Sequence, residues 1–373
     1  MLGNNKEKEL RIMKKTFICT KENPLHCQIG EEEKTLIDEI VIEGFLSDID
    51  MIILQEMSND HVLRVIDMSG VNELSDESCY LEYEQLSFEK LEELYLPEHA
   101  ETFPFAMFIK CDRLVNVDIP ESMKQLSEYT LAFCPNIEEL YVPSKLRVFE
   151  ADCYSQWNHS EDTFLAGSAK KFVSDRDTWS MRDDDDDLYA SDGVLYRKRM
   201  LYRYPAGDER SHFDIPEGTD SISQLAICNN KYLRSITIPS SCVKFWSEAI
   251  CCCPSLETLV FKNEKFSFYS DSNHPFDFND DPGPHGLRKL PNLKDIYLYA
   301  KDPDEVSLLF DGLYNMENVV LHVPCFCADK YKKHMITTVG YEGGILTYKQ
   351  ESYGKRFLRI EEFDPIDVFG EEK

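Results

Sequence analysis

His322, Cys325, Cys327 and His334 carry the two donor types that zinc prefers, imidazole nitrogen and thiolate sulfur, within one short stretch. Their arrangement argues against a site. His322 alternates with Leu321 and Val323 as on a strand, and Cys-x-Cys is tighter than the usual Cys-x₂₋₄-Cys pair. A second cluster, Cys251 to Cys253, is consecutive, and adjacent cysteines are awkward to pair. The run Asp183 to Asp187 offers the oxygen donors that calcium takes. Calcium loops, however, space their ligands and place a Gly at the bend, whereas consecutive Asp side chains diverge, which predicts a solvated acidic loop. A glycosidase needs two carboxylates flanking one bond, and nothing singles out a pair among 69 Asp and Glu. The phosphate-loop, dinucleotide, nucleophile-elbow and zincin signatures do not occur in the chain. The sequence therefore predicts no catalytic residue, no metal and no cofactor, which leaves recognition as the chemistry to place.

Recognition residues need a frame, and the frame is a repeat. LEELYLP (91 to 97), LVNVDIP (114 to 120) and IEELYVP (137 to 143) share the form L-x-x-L-x-L-P, with Pro97, Pro120 and Pro143 spaced by 23 residues. The spacing returns at Pro216, Pro239 and Lys262, which end HFDIP, LRSITIP and LETLVFK. Counting on from Pro97, Pro120, Pro216 and Pro239, the sixth column reads Phe103, Leu126, Ile222 and Phe245, and the eleventh Phe108, Leu131, Ile227 and Ile250. The fourteenth reads Cys111, Cys134, Asn230 and Cys253, where a small polar side chain is expected to cap backbone groups inside a turn. This accounts for those cysteines without chemistry and predicts them as buried thiols. One such unit cannot bury its own apolar face, so stacking of neighbours must supply the core.

Weaker copies at Ile37-Ile40-Ile42, Leu63-Ile66-Met68, Leu293-Ile296-Leu298 and NVVLHVP extend the array. The expected architecture is an α/β to β-rich leucine-rich-repeat solenoid over residues 35 to 335, with parallel strands on one face. Residues 1 to 34 are read as an N-terminal extension and 336 to 373 as a C-terminal cap or tail. Two inserts interrupt the repeats. One, about 176 to 210, holds Ser191-Asp192-Gly193 between Tyr- and Leu-rich segments and reads as a projecting β-hairpin; the other, 271 to 286, reads as an exposed loop.

The net charge of −29 excludes anionic partners, since a phosphate backbone or lipid headgroup would be repelled. No run of about 18 apolar residues spans a membrane. Thirteen cysteines, an odd number, and the want of an apolar leader after Met1 or Met13 point to a reducing, cytoplasmic setting. A monomer that binds a basic protein is the expectation.

These residues resemble the BspA-like leucine-rich repeat proteins, a family known from bacterial and some protist surface antigens. The pieces that carry the resemblance are IPESMKQLSEYTLAFCPNIEELYVP, IPEGTDSISQLAICNNKYLRSITIP and the SDGVLYRKRMLYRYPAG hairpin set just before an IP repeat. EGFLSDIDMIILQEMSNDHVLRVIDMS is similar to the N-terminal cap of such arrays. The resemblance covers most of 35 to 335 and implies a solenoid that adheres to or binds other macromolecules without a catalytic centre. It also implies export to the cell surface, in contrast to the leader reading.

With L-x-x-L-x-L facing the core, the intervening residues face out along the concave sheet. They are Glu93 and Tyr95, Asn116 and Asp118, Glu139 and Tyr141, His212 and Asp214, Ser235 and Thr237, Thr258 and Val260, and Asp295 and Tyr297. This acidic stripe with Tyr rungs is the candidate binding site, the core of it being Glu93, Tyr95, Asn116, Asp118, Glu139, Tyr141, Asp214, Thr237, Asp295 and Tyr297. A protein partner would use Tyr as anchors and the acids as contacts; alternatively, Tyr95, Tyr141 and Tyr297 would stack sugars.

Overall fold

The computed structural model describes residues 13–75, 86–103, 108, 110–126, 131, 134–146, 169–174, 188–246, 248–268, 287–306, 316–342 and 345–369. The acidic run Asp183 to Asp187 and the 271 to 286 insert lie outside them. The chain divides into two compact units, with residues 13 to 146 in the first and 188 to 369 in the second.

In the first unit, parallel strands Met13–Cys19, Ile37–Leu46, Val65–Asp67, Glu93–Tyr95 and Asn116–Asp118 form one sheet in that order. The register is that of the repeat: Glu93 faces Asn116 and Tyr95 faces Asp118. Alternation decides the facing, because Leu94 and Leu140 are buried while Asn116, Asp118 and Glu139 between such positions are exposed. Met13–Cys19 is a strand of this sheet that the repeat pattern did not show, since it lacks the L-x-x-L-x-L signature. The helix Asp48–Asn59 opens with a capping box in which Ser47 and Asp50 satisfy each other's backbone. The buried Asp50 carboxylate also accepts from the His26 backbone N–H and faces its ring at 2.8 Å.

The second unit carries the main parallel sheet His212–Asp214, Ser235–Ile238, Thr258–Phe261, Asp295–Leu298, Val320–Pro324 and Arg359–Phe363. Each full coil adds further short strands: Ser221–Ile222 pairs Lys244–Phe245, and Ile227–Cys228 pairs Ile250–Cys251. The stacked Ile222 and Phe245, Ile227 and Ile250, and Leu259 and Phe261 fill its core.

The proline column has a structural cause. The carbonyls of Pro97, Pro120, Pro143, Pro216 and Pro239 each accept from the backbone N–H three residues on, at 3.0 to 3.3 Å, so each proline closes its strand into a β-turn without needing an N–H of its own. The fourteenth column marks the second turn. Its preceding residue lies in the left-handed region in four coils: Lys110 at φ 54°, Asn229 at 57°, Cys252 at 51° and Lys289 at 50°. Asn230 is fully buried and bonds four backbone groups: Nδ2 donates to Pro205 O (3.2 Å) and Asp208 O (2.8 Å), and Oδ1 accepts from Tyr232 and Leu233 N–H (2.8 Å each). Cys111, Cys134 and Cys253 are buried thiols in the same column, as the sequence predicts.

The inserted hairpin is present, Leu188–Ser191 against Val194–Arg197 with Asp192 and Gly193 at positive φ, but it does not project. A third strand, Met200–Arg203, follows antiparallel and then pairs in parallel with Ser221–Ile222, which ties the insert into the stack. Tyr189, Val194, Tyr196, Leu201 and Tyr204 belong to the core of the unit. Burial of these large rings outweighs the exposure expected of an insert.

Candidate binding face

In the first unit, Tyr95, Asn116, Asp118, Glu139 and Tyr141 line a depression of about 220 Å³, together with Val173. All five belong to the stripe expected from the sequence, and Glu93 stands beside them on the strand of Tyr95. Tyr95 donates its hydroxyl proton to Glu93 Oε2 at 2.9 Å. That bond, then burial, then the charges of Glu93, Asp67 and Asp118, raise the Tyr95 hydroxyl above its ordinary value. The ring thus sits in a negative field. The Tyr141 hydroxyl donates to Glu121. Both hydroxyls are held by acids, and both rings line the depression. Among the described residues, neither Glu93 nor Asp118 has an ion-pair partner.

In the second unit the same face is differently furnished. Asp214 is paired with His212 Nε2 at 2.9 Å, and His212 Nδ1 lies 2.6 Å from Ser235 Oγ. Asp295 is paired with His322 Nε2 at 2.8 Å. Tyr297 stacks on the His322 ring, centroids 4.1 Å apart and planes 7° apart, and meets the edge of Phe363 at 5.2 Å. Thr237 lies in register with Val260, and Val260 with Tyr297. Val260 was expected to face out, yet it is 4% exposed. The candidate residues therefore fall into two groups, Glu93 to Tyr141 in the first unit and Asp214, Thr237, Asp295 and Tyr297 in the second. In the second, the two acids have histidine partners and the Tyr297 ring stacks on His322.

The four suspected zinc donors are not gathered. His322 serves Asp295, His334 Nδ1 lies 3.4 Å from Asp304, and the thiols of Cys325 and Cys327 donate to the carbonyls of Phe363 and Cys325. One thiol cluster not expected from the sequence is present. Cys228, Cys251 and Cys252 hold their sulfurs within 4.8 Å of one another, the only such group of three ligating side chains among the described residues. The signal was legible: Cys228 and Cys251 are 23 residues apart, one column of the repeat. Among the described residues no helix is long and apolar enough to cross a membrane.

Against known proteins, residues 79–174 and 206–275 match the BspA type leucine rich repeat region in six copies. The fold is similar to a leucine rich cell surface protein from Faecalibacterium prausnitzii, at 17% identity and TM-score 0.41, over 88% of this chain and 74% of that one. It is also similar to the pneumococcal vaccine antigen PcpA, at 15% identity and TM-score 0.42, over 81% and 78%. A leucine-rich repeat protein from Eubacterium ventriosum aligns at 12% identity and TM-score 0.35, over 84% and 81%. No curated protein matches the sequence significantly.

Proposed function

We infer that this chain, which carries BspA-type leucine-rich repeats and is a repeat scaffold, acts without catalysis by binding a basic segment of another protein on the strand face of its first unit. The observation that carries the reading is the depression between Tyr95 and Tyr141, lined by Asp118 and Glu139, where Asp118 and the neighbouring Glu93 have no ion-pair partner among the described residues. A Lys or Arg side chain brings the charge that this field lacks and an apolar stem that a Tyr ring can cover. Aromatic side chains are enriched as interface anchors, and solenoids present one continuous face to partners. The scaffold acts as a monomer.

A panel of Lys- and Arg-rich peptides, with neutral and acidic controls, tests this by biolayer interferometry. From about 0.01 to 1 M salt the screening length falls from roughly 30 to 3 Å, so binding of the basic peptides should weaken steeply. Asp118→Asn with Glu139→Gln should slow association and flatten that dependence. Tyr141→Ala should speed dissociation, costing on the order of 1 to 3 kcal/mol. Normal binding by both variants overturns the site. Salt-insensitive capture of an oligosaccharide that is lost in Tyr141→Ala would replace the protein partner with the sugar alternative.

A further inference from the structure

The three sulfurs of Cys228, Cys251 and Cys252 lie outside both the repeat's core columns and the binding face. Cys228 and Cys251 are register partners on adjacent parallel strands, following Ile227 and Ile250, whose side chains fill the core. By alternation the two thiols face away from that core, and yet they are 7% and 1% exposed. Cys252 is brought to them by its left-handed backbone, φ 51°, in the turn before the fourteenth column, and it is partly exposed. The Cys251 thiol donates to Cys228 Sγ at 3.1 Å. None of the three is in a disulfide.

We propose that Cys228, Cys251 and Cys252 form a binding site for one soft, thiophilic metal cation, for which copper(I) is the best match. A metal with bonds of about 2.3 Å to sulfur sets its thiolates roughly 3.8 to 4.0 Å apart in tetrahedral or trigonal geometry. The Cys228 and Cys251 sulfurs are 3.1 Å apart and all three lie within 4.8 Å of one another, so small rotamer shifts reach that separation. Donor type decides the metal class. The group contains no carboxylate or imidazole, which excludes the hard cations calcium and magnesium. Structural zinc takes four donors, and the described residues supply three, a number that copper(I) accepts from thiolates. Each thiol that coordinates gives up its proton, so one cation replaces up to three S–H protons and no electron is transferred. Partial exposure of Cys252 provides the entry path to two buried ligands.

The test uses the full-length, reduced chain under anaerobic conditions. Exposed Cys27 and Cys325 and the partly buried Cys327 are first changed to Ser, so that they do not capture copper themselves. Copper(I), delivered from a competing chelator, is then titrated and read as copper retained per chain and as the thiolate-to-copper charge-transfer band. The expected result is one retained equivalent. Cys252→Ser, whose partly exposed side chain leaves the fold unchanged by circular dichroism, should lower copper affinity by about 100-fold or more, since loss of a merely supporting group already costs 10- to 100-fold. Cys228→Ser should do the same. Copper uptake that neither change weakens, or zinc held as tightly as copper by the same three thiols, would overturn the proposal. The acid and tyrosine variants of the binding face leave this readout unchanged, so the two readings fail separately.

Discussion

Replacing Asn230 with Ala removes one buried side chain and four hydrogen bonds at once. The amide donates to Pro205 and Asp208 in the preceding coil and accepts from Tyr232 and Leu233 in its own, so the change strands two carbonyls and two N–H groups. A net value of about 1 kcal/mol per bond gives roughly 4 kcal/mol, and a water entering the vacated space offsets part of any further penalty, so about 3 to 5 kcal/mol is expected. That is a large share of the 5 to 15 kcal/mol typical of a folded domain. Asn230→Cys should cost less, about 1 to 3 kcal/mol. Cysteine already occupies the column elsewhere, where Cys134 donates to Phe108 O at 3.2 Å and the Leu114 and Leu256 N–H groups bond the carbonyls of Cys111 and Cys253 instead of a side chain. Urea unfolding, followed by far-ultraviolet circular dichroism and by tryptophan fluorescence, to which Trp246 one coil away contributes, gives both numbers. A loss below about 1 kcal/mol for Asn230→Ala, or equal losses for Ala and Cys, would refute the argument that this column is held by the polar side chain.

Three further outcomes follow from the turns and caps. Lys289→Gly and Lys110→Gly should each stabilise the fold by about 0.5 to 1 kcal/mol in the same assay, because a left-handed residue with a Cβ costs roughly 1 to 2 kcal/mol and glycine's greater unfolded freedom takes back part of it. Cys111, Cys134 and Cys253 should stay unreactive to a thiol reagent at pH 8 until the chain is unfolded, while Cys27 and Cys325 react at once; a hydrogen bond with Cys134 and burial raise the Cys111 thiol, and burial pushes Cys253 up to about 12. Backbone N–H groups of Ala328 and Phe326 hold the Glu362 carboxyl below its ordinary value. A depressed carboxyl stabilises above its unfolded value, about 4.3, and that contribution is lost as pH falls through the folded one. Carbon-13 titration should find Glu362 below an ordinary glutamate, and Glu362→Gln should flatten the acid limb of stability for the helix Ala328–Lys333.

Much of the fold was legible because two constraints repeat at one period: a proline that closes each strand and an apolar set that must stack. Where a coil departs from that chemistry the sequence was mute. Met13–Cys19 joins the sheet by main-chain bonds that need no leucine signature. The Tyr-rich insert was read as projecting because its turn is local information, whereas the pairing of Met200–Arg203 with Ser221–Ile222 is not. The candidate binding face divides the same way. Strand alternation placed Tyr95, Asp118 and Glu139 on one surface, but the partner of Asp295 is His322, 27 residues on, and no pattern within one repeat announces it. The thiol cluster was missed because Cys251 to Cys253 were read along the chain, while the contact runs across coils to Cys228.

The turn side chains share a direction. Ser122, Cys134, Asn230, Ser241, Cys253, Asn263, Asn292 and Tyr331 each donate to a carbonyl of an earlier coil. A ribosome delivers the chain in that same order. For these side chains, each newly emerged coil thus meets acceptors already fixed in place, whereas main-chain donors such as the Gly218 and Asn229 N–H groups wait for Ser241 Oγ and Cys251 O in the coil that follows. Growth from the N-terminus thus lets each of these turn side chains bond as soon as it is in place. A chain begun from the other end would have to hold each donor open until its acceptor arrived.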